Sequence, residues 1–298
     1  MAPRDLSIPT VRQRHLAARL RALRLERQLT IEETAERLMC SPAKISRLET
    51  ASRPPNPRDV RDLCGVYEVG QVETDELVEM AKEARKPNWW NKYVDLNMPY
   101  IGLEEDAISI TSYTMYYVPA LLQAEQYTRA IILAIAPKID KKILEDRIEA
   151  RMTRQKILDR DDPPKYRVLM DESVLHRRVG GPTIMQAQID KILDVANKGK
   201  ATVQIVPFEI GAHAAQDSNF ILLDFDDQSP VAFVEGLVAH QYLDKKEDVE
   251  RYRETVDYLR DSALSPRESI QRITEARSLH QGDLHIVLSP FTYRKVKR

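Results

Sequence analysis

Residues 30–50 read TIEETAERLMCSPAKISRLET and contain two helix-start signals in close succession. Thr30, followed three positions later by Glu33, has the pattern of a capping box. In that motif the threonine hydroxyl accepts from the Glu33 N–H, and the glutamate carboxylate accepts from the Thr30 N–H. Ser41-Pro42 is a second start, because serine is a favoured N-cap and proline at the next position has no N–H to leave unpaired. The stretch therefore predicts two short helices joined by a tight turn.

Apolar residues recur at helical spacing in both predicted helices, at Ile31, Ala35 and Leu38 in the first and at Ile45 and Leu48 in the second. The second helix then exposes Lys44, Ser46 and Arg47. Two helices that bury facing stripes in this way predict a helix-turn-helix whose second helix enters the major groove of double-stranded DNA. Lys44 and Arg47 carry long donors suited to guanine edges.

Three further helices are predicted around this pair. The first, over residues 12–28, places Leu16, Leu20 and Leu23 inward and Arg19, Arg24 and Arg27 outward. A fourth begins at Asn56-Pro57, and Thr74 caps a fifth. We expect this five-helix unit to end near Ala84, because Lys86-Pro87-Asn88 interrupts the helical pattern. We call residues 1–84 the head.

Residues 85–280, which we call the body, alternate between strand-like and helix-like segments. Short apolar β-branched runs occupy 166–170, 202–206, 220–225 and 231–234, and the last two are spaced as a hairpin. Helical patterns occupy 121–136, 141–159, 182–197 and 247–264. Residues 108–118 fit either element. Strands interleaved with helices predict a mixed α/β domain behind the helical head. Residues 281–298 form a basic C-terminal tail with Arg294, Lys295, Lys297 and Arg298.

Charge is distributed unevenly along the chain. The formal net charge is −1, but residues 1–70 contain 13 Lys and Arg against 9 Asp and Glu. A basic head on an acidic body fits phosphate binding by the head alone, although an ordinary solvated surface would look the same. No run of about 18 apolar residues occurs, so no membrane span is expected. Cys40 and Cys64 fall on apolar positions and indicate buried thiols in a reducing cytoplasm.

The body and the tail together contain five of the six histidines, but their spacing does not indicate a metal site. Glu209, His213 and Asp217 could be imagined as ligands, yet neither H-E-x-x-H nor paired Cys/His spacing supports them. Asp171-Glu172 follows a strand, where α/β domains place catalytic acids, but such a pair more often caps the next helix. The sequence has no glycine-rich phosphate loop after a candidate strand and no nucleophile elbow. We therefore expect no catalytic residues, metal or cofactor.

A small polar cluster near the end of the 141–159 helix is a candidate interaction site. Arg151 and Gln155 are four residues apart and share a helix face, with Arg154 beside them. Arginine clusters bind carboxylates, including those of a partner protein. A surface held by salt bridges is the equally open alternative. A body that binds a small metabolite, or is itself enzymatic, is the second functional reading.

The head resembles the XRE family of helix-turn-helix regulators, which includes the lambdoid phage repressors, through residues 30–49 and the ISRLE run at 45–49. The resemblance implies a lambda-repressor-like fold. It also implies base contacts by Pro42, Ala43, Lys44 and Arg47 with Ser46 close by, and backbone contacts by Arg53 and Arg58. Ile31 replaces a glutamine that contacts phosphate in many members. Met39 and Ala51 replace common helix-ending glycines, so we expect those turns to be built differently.

The body is similar to that of actinobacterial XRE proteins of WhiJ type. The shared motifs are Trp89-Trp90, residues 100–104, 118–123, 151–155 and 169–172, residues 204–208 with Gly211 and His213, and residues 233–235. This resemblance implies a transcriptional regulator of development or specialised metabolism, antitoxin-like in some cases. It also implies a small partner protein, encoded nearby, that acts through the body. A single helix-turn-helix contacts too few base pairs for genomic specificity, so we expect a homodimer on an inverted repeat.

Overall fold

The computed structural model describes residues 11–53, 55–85, 89–93, 99–226, 229–236 and 240–280. The predicted basic tail at 281–298, the break at 86–88, Pro54 and part of the hairpin loop at 226–229 lie outside the described residues. By contact density the chain divides into two units, Met1–Ile108 with Leu223–Pro230 and Ser109–Leu222 with Val231–Arg298. The first unit contains the whole head. The domain boundary after residue 84 stays a prediction.

Within residues 11–85 the chain forms five helices, as predicted: α1 (Val11–Glu26), α2 (Ile31–Arg37), α3 (Pro42–Glu49), α4 (Pro57–Val66) and α5 (Gln71–Glu83). The capping box of α2 is confirmed, with Glu33 N–H donating to Thr30 Oγ1 at 3.1 Å and Thr30 N–H donating to Glu33 Oε2 at 2.8 Å. Asn56 caps α4 by accepting from Arg58 N–H at 3.1 Å. Local side-chain chemistry therefore fixes where these two helices begin.

Two predicted start signals act differently from our expectation. Ser41 occupies the N-cap position of α3, but its hydroxyl makes no capping hydrogen bond. The backbone carbonyl of Ser41 accepts from Lys44 N–H at 2.8 Å instead, and Pro42 has no N–H to satisfy. Thr74 does not cap α5, which begins earlier with Gly70 as its N-cap. The Thr74 hydroxyl points back and donates to the Val69 carbonyl at 3.4 Å.

The turns that follow four helices of the head place residues other than glycine in the left-handed region: Gln28 (φ 57°), Met39 (φ 49°), Ala51 (φ 53°) and Glu68 (φ 54°). After α2 the Cys40 N–H donates back to the Ala35 carbonyl at 2.9 Å, which is the Schellman pattern. The expectation that the turns at Met39 and Ala51 are built differently is therefore wrong. They keep the conformation that glycine favours, at a cost of about 1 kcal/mol each.

The apolar core of the head draws on all five helices and includes Leu16, Leu20, Ala35, Ile45, Leu48, Val60, Leu63, Leu77 and Val78. Arg24 was predicted to point outward, and the structure corrects this. Its guanidinium is buried and donates to both carboxylate oxygens of Glu49, at the end of α3. The helical period placed Arg24 near the edge of the apolar face, and the carboxylate partner on α3 draws it inward.

In the body the described residues form a six-stranded sheet of order β3-β2-β1-β4-β5-β6. The strands are β1 (Ser109–Thr114), β2 (Lys165–Asp171), β3 (Thr202–Val206), β4 (Phe220–Asp224), β5 (Val231–Glu235) and β6 (His240–Leu243). β1 is parallel to β2, and β2 is parallel to β3, whereas β5 and β6 are antiparallel. The predicted mixed α/β class is confirmed, and the ambiguous 108–118 segment contains a strand.

Beyond the head, the α-helices of the described residues are α6 (Pro99–Asp106), α7 (Glu125–Ile135), α8 (Lys141–Arg154), α9 (Ser173–His176), α10 (Pro182–Asn197), α11 (Lys246–Ser262) and α12 (Pro266–Leu279). Of these, α11 packs against β3 and β5, and α12 packs against β3. Val168, Leu169 and Met170 are consecutive in β2, so they point to alternate faces, and all three are 0% exposed. One face packs on α11 through Leu169, Val256 and Leu259. A strand buried on both faces is typical of parallel sheets.

Candidate functional site

The predicted recognition helix α3 presents a polar face away from the head core. Ile45 and Leu48 are buried against that core. Pro42, Ala43 and Arg47 are exposed, while Lys44 and Ser46 are half-buried. The five residues predicted to lie at base edges are therefore all on one short helix, which the buried Ile45 and Leu48 orient.

Lys44 and Arg47, the two long donors of α3, differ in their surroundings. Lys44 Nζ lies 2.8 Å from Asp59 Oδ1 on α4, in an ion pair that is partly exposed. Arg47 makes no side-chain hydrogen bond or ion pair with any residue that the structure describes. Contact with a base edge would require the Lys44 ammonium to leave Asp59, whereas the Arg47 guanidinium has no such bond to break. Sequence analysis missed Asp59, because nothing in the sequence links it to a position fifteen residues away.

Arg53 and Arg58, which are predicted to contact the DNA backbone, lie on either side of the residue at which α4 begins. Both are exposed. Within the described ranges neither side chain has a hydrogen-bond or ion-pair partner. Together with Arg47 they form a set of three uncompensated guanidinium groups between α3 and the first turn of α4, which we call the arginine set. Phosphate contacts from such groups supply most of the affinity for nucleic acid.

Ile31, which replaces a phosphate-contacting glutamine of the XRE family, is half-buried and packs against the head core. Isoleucine cannot donate a hydrogen bond, so the first residue of α2 adds apolar packing here instead of a phosphate contact. The arginine set therefore carries more of the predicted backbone recognition.

The structure places Arg151 and Gln155 in an internal polar network of the body. Arg151 donates to Gln123 Oε1 at 2.9 Å. The Gln155 amide donates to the backbone carbonyls of Ala120 and Gln123, both at 2.8 Å, and its oxygen accepts from Lys191 Nζ. Arg154, the last residue of α8, is half-buried. Partner binding at these residues stays a prediction, and two of the three also stabilise the fold.

The side-chain amides of Gln123 and Gln188, which we call the glutamine clamp, bind backbone groups of the segment at residues 118–124, whose sequence is VPALLQA. Most of this stretch is buried, and only residues 120–122 form a short 3-10 helix, so the remaining backbone groups need other partners inside the protein. Gln123 Nε2 donates to the Val118 carbonyl at 2.6 Å. Gln188 on α10 donates to the Leu122 carbonyl and accepts from Ala124 N–H, both at 2.7 Å. Side-chain amides thus satisfy backbone groups that the short 3-10 helix leaves without partners.

Asp171 and Glu172, the candidate catalytic acids, have structural partners. Asp171 Oδ1 accepts from the N–H of Ser173, the first residue of the short α9, at 2.9 Å, whereas Glu172 occupies the N-cap position without a side-chain capping bond. Glu172 is buried and accepts from Phe208 N–H at 3.0 Å and from Arg272 at 2.7 Å. Burial alone would raise the pKa of the Glu172 carboxyl, but these donors hold the pKa below its ordinary value.

Each of these two carboxylates also faces a histidine. His176 Nε2 lies 3.6 Å from Glu172 Oε1, and His213 Nε2 lies 4.0 Å from Asp171 Oδ2. Across the described residues, no group of three or more His, Cys, Asp or Glu side chains is arranged to hold a metal ion. Cys64 is buried and Cys40 is half-buried, and both are free thiols.

Comparison with protein families identifies both parts of the chain. Residues 15–77 match the model of a helix-turn-helix domain, which is the region of α1 to α5. The protein is therefore a DNA-binding regulator of transcription. No helix among the described residues has the length and apolar character needed to cross a membrane.

Searches of curated proteins and of solved structures gave no match. Residues 98–275, more than half of the chain, match the model described as a domain of unknown function (DUF5753). The match spans the strands β1 to β6 and the helices α6 to α11, with most of α12. The chain belongs to this family of DUF5753 proteins, with a helix-turn-helix domain at its N-terminal end.

Proposed function

We propose that the protein binds a specific operator as a homodimer through α3, with the arginine set anchoring the sugar-phosphate backbone. The observation that carries this proposal is Arg47, an exposed guanidinium on α3 without a partner among the described residues. Arginine is the side chain best suited to reading guanine in the major groove. A homodimer places two such helices about 34 Å apart, which matches one turn of DNA and an inverted repeat.

Asp59 adds a selectivity step to this proposal. Its carboxylate holds Lys44 at 2.8 Å, so non-cognate DNA must compete with an existing ion pair for that ammonium. A correctly placed guanine, which offers two acceptors, can compete better than a lone phosphate contact. Lys44 would then contribute to discrimination more than to overall affinity.

Selection of binding sites from random duplexes, followed by footprinting of the variants, tests the operator proposal. Replacing Arg47 by Ala should weaken binding to the selected site by about 1–3 kcal/mol and relax the preference at one base pair. Arg21 is exposed on α1 and makes no ion pair within the described residues, so Arg21→Ala is the matched control and should change little. Unchanged base preference in Arg47→Ala would defeat the assignment of α3.

Asp59→Asn tests the selectivity step separately. Freeing Lys44 should tighten binding to random duplexes more than binding to the selected site, so the ratio of the two affinities falls. Binding that tightens equally on both duplexes would show that Asp59 acts only through its charge. If Asp59→Asn changes binding to neither duplex, Asp59 has no part in selectivity.

We further propose that the body is a binding module and not an enzyme, and that a small partner protein encoded nearby controls the regulator through it. The support is the resemblance to WhiJ-type proteins, which implies a role in development or specialised metabolism. The internal bonds of Arg151 and Gln155 leave Arg154 as the member of the predicted set whose substitution disturbs the glutamine clamp least.

Co-purification from the native host tests partner control. Arg154→Glu should release the partner while leaving footprints on operator DNA unchanged. Because coupling between two sites is reciprocal, adding the partner should also shift operator affinity. A protein that purifies without a partner, or an Arg154→Glu variant that keeps its partner, would count against this site.

A further inference from the structure

A cleft in the body lies between α11 and the turn at residues 214–217, with a volume of about 270 Å³. Binding sites for small molecules usually measure about 300–1,000 Å³, so this cleft suits a ligand of amino-acid size. It is distinct from the head and from the cluster around Arg151. Its lining combines two aromatic rings with three charged side chains.

The aromatic wall of the cleft is fixed by the body core. Phe220 is buried, and its ring centroid lies 4.8 Å from that of Tyr252 and 5.8 Å from that of Tyr113. Tyr252 is half-buried, and burial raises the pKa of its phenol, which therefore stays neutral at physiological pH. The wall is preformed, so a ligand would not have to order it.

The opposite wall is held by a histidine. Ala215 N–H donates to His213 Nδ1 at 3.3 Å, which fixes the turn that carries Ala214 and Asp217. On its other side, His213 Nε2 lies 3.3 Å from the Tyr113 hydroxyl. The turn and the aromatic wall are thus connected through Tyr113, and the cleft has two positioned sides.

The charged groups of the cleft are left without partners. Asp217, Asp248 and Arg251 form neither an ion pair nor a side-chain hydrogen bond with any residue in the described ranges. Asp248, Arg251 and Tyr252 share one face of α11. Two other acids of the same helix are paired: Asp257 with Arg260 at 3.3 Å and Glu250 with Arg253 at 3.8 Å. With two carboxylates against the one guanidinium of Arg251, beside a neutral aromatic wall, the cleft carries a net negative charge that favours a cation.

We propose that this cleft binds a small molecule in which a protonated primary amine is attached to an apolar group. The ammonium would lie between Asp217 and Asp248, where charge-assisted hydrogen bonds and the aromatic faces both favour it. The apolar group would pack on Phe220 and Tyr252. Arg251 stands at the same cleft and would receive the carboxylate of an amino acid, whereas a simple amine leaves it unused.

Calorimetric titration of the full-length protein with 2-phenylethylamine and with L-phenylalanine, without DNA, tests this site. We expect saturable binding of at least one probe at millimolar concentration. Asp217→Asn with Asp248→Asn should weaken it about tenfold or more, since each tenfold is only 1.4 kcal/mol. Glu254→Gln, an exposed acid on α11 outside the cleft, is the matched control and should bind as the natural protein does.

Two further variants sharpen the result. Ala214 is exposed at the rim, so Ala214→Trp should block either probe without disturbing the core. Arg251→Gln should weaken L-phenylalanine alone if the natural ligand is an amino acid, and neither probe if it is an amine. Absence of saturable binding, or equal losses in Glu254→Gln and in the double Asp variant, would overturn the proposal. DNA binding by the head is unaffected by either outcome.

Discussion

Arg24 of α1 and Glu49, the last residue of α3, form a buried ion pair with two hydrogen bonds of 2.7 and 2.9 Å. Only 9% of the Arg24 side chain and 3% of the Glu49 side chain are exposed. A third guanidinium donor bonds the Leu29 carbonyl at 2.6 Å, so the end of α1, the turn before α2 and the end of α3 converge on one side chain. The pair therefore fastens the end of α3 to α1.

Breaking this pair from one side should be costly, because the remaining charge stays buried without its partner. Arg24→Met or Glu49→Gln should lower the free energy of unfolding of the head by about 3–5 kcal/mol, whereas the double variant Arg24→Met/Glu49→Met should recover much of the loss. Urea unfolding followed by circular dichroism measures the effect. Arg19, whose pair with Glu73 is about one-third exposed, is the control: Arg19→Met should cost about 0–1 kcal/mol. Equal losses at both arginines would contradict this account.

The left-handed residue after α2 offers a stabilising substitution. Met39 has a φ of 49° and is 94% exposed, so its side chain contributes little packing while its backbone is strained. Met39→Gly should raise the free energy of unfolding by about 1 kcal/mol. Met39→Ala keeps the strain and should be nearly neutral, which separates backbone relief from loss of the side chain. A head that is stabilised equally by both variants would show that the Met39 side chain, and not its backbone, is the cause.

The sequence predicted the features of the head that depend on residues close together in the chain. The capping box at Thr30, the proline that begins α3 and the apolar stripes placed the helix-turn-helix within a residue or two of its observed bounds. The burial of Arg24 and the pairing of Lys44 with Asp59 escaped prediction, because each depends on a partner 25 or 15 residues away. A single sequence shows which residue types are present but not which distant residues pair with each other.

In the body, prediction succeeded for elements and failed for irregular backbone. The 182–197 helix and the 202–206 strand were placed at their observed bounds, because their apolar periods are unbroken. The helix predicted over 121–136 begins at Glu125, after a short turn that the glutamine clamp holds. The side-chain amides of residues 155 and 188 hold that conformation by hydrogen bonds. No local sequence pattern predicts these contacts, because both residues are far away in the chain.

The clamp supplies a third prediction. Gln188→Leu keeps the approximate volume of the side chain but leaves the Leu122 carbonyl and the Ala124 N–H without partners in a buried setting. Each buried unsatisfied group costs about 1–3 kcal/mol, so we expect a loss of about 2–4 kcal/mol in the free energy of unfolding of the body. Gln126→Leu on the exposed side of α7 is the control and should change little. If thermal unfolding of the two variants coincides, the clamp is not what holds the 118–124 segment.

Glu172 should make the stability of the body depend on pH. Although burial works to raise the pKa of its carboxyl, the Phe208 N–H and the Arg272 guanidinium lower it below the ordinary value in the folded state. The unfolded chain, with a glutamate pKa of about 4.3, then binds more protons in acid than the folded chain does. The stabilisation that the Glu172 carboxylate contributes is therefore fully present above about pH 4.3. It is lost as the pH falls through the lower pKa that this carboxyl has in the folded state.

Comparison of the natural protein with Glu172→Gln by urea unfolding at a series of pH values tests this linkage. At pH 7 the substitution should cost about 2 kcal/mol, because a hydrogen-bonded charged group is replaced by a neutral one that still accepts from Phe208. The difference should shrink as the pH falls below about 4, where the natural carboxyl becomes protonated and loses its attraction to Arg272. Glu254→Gln, with no partner among the described residues, should show a small difference at every pH. A gap between Glu172→Gln and the natural protein that stays constant down to acid pH would mean that Arg272 stabilises Glu172 by packing and not by charge.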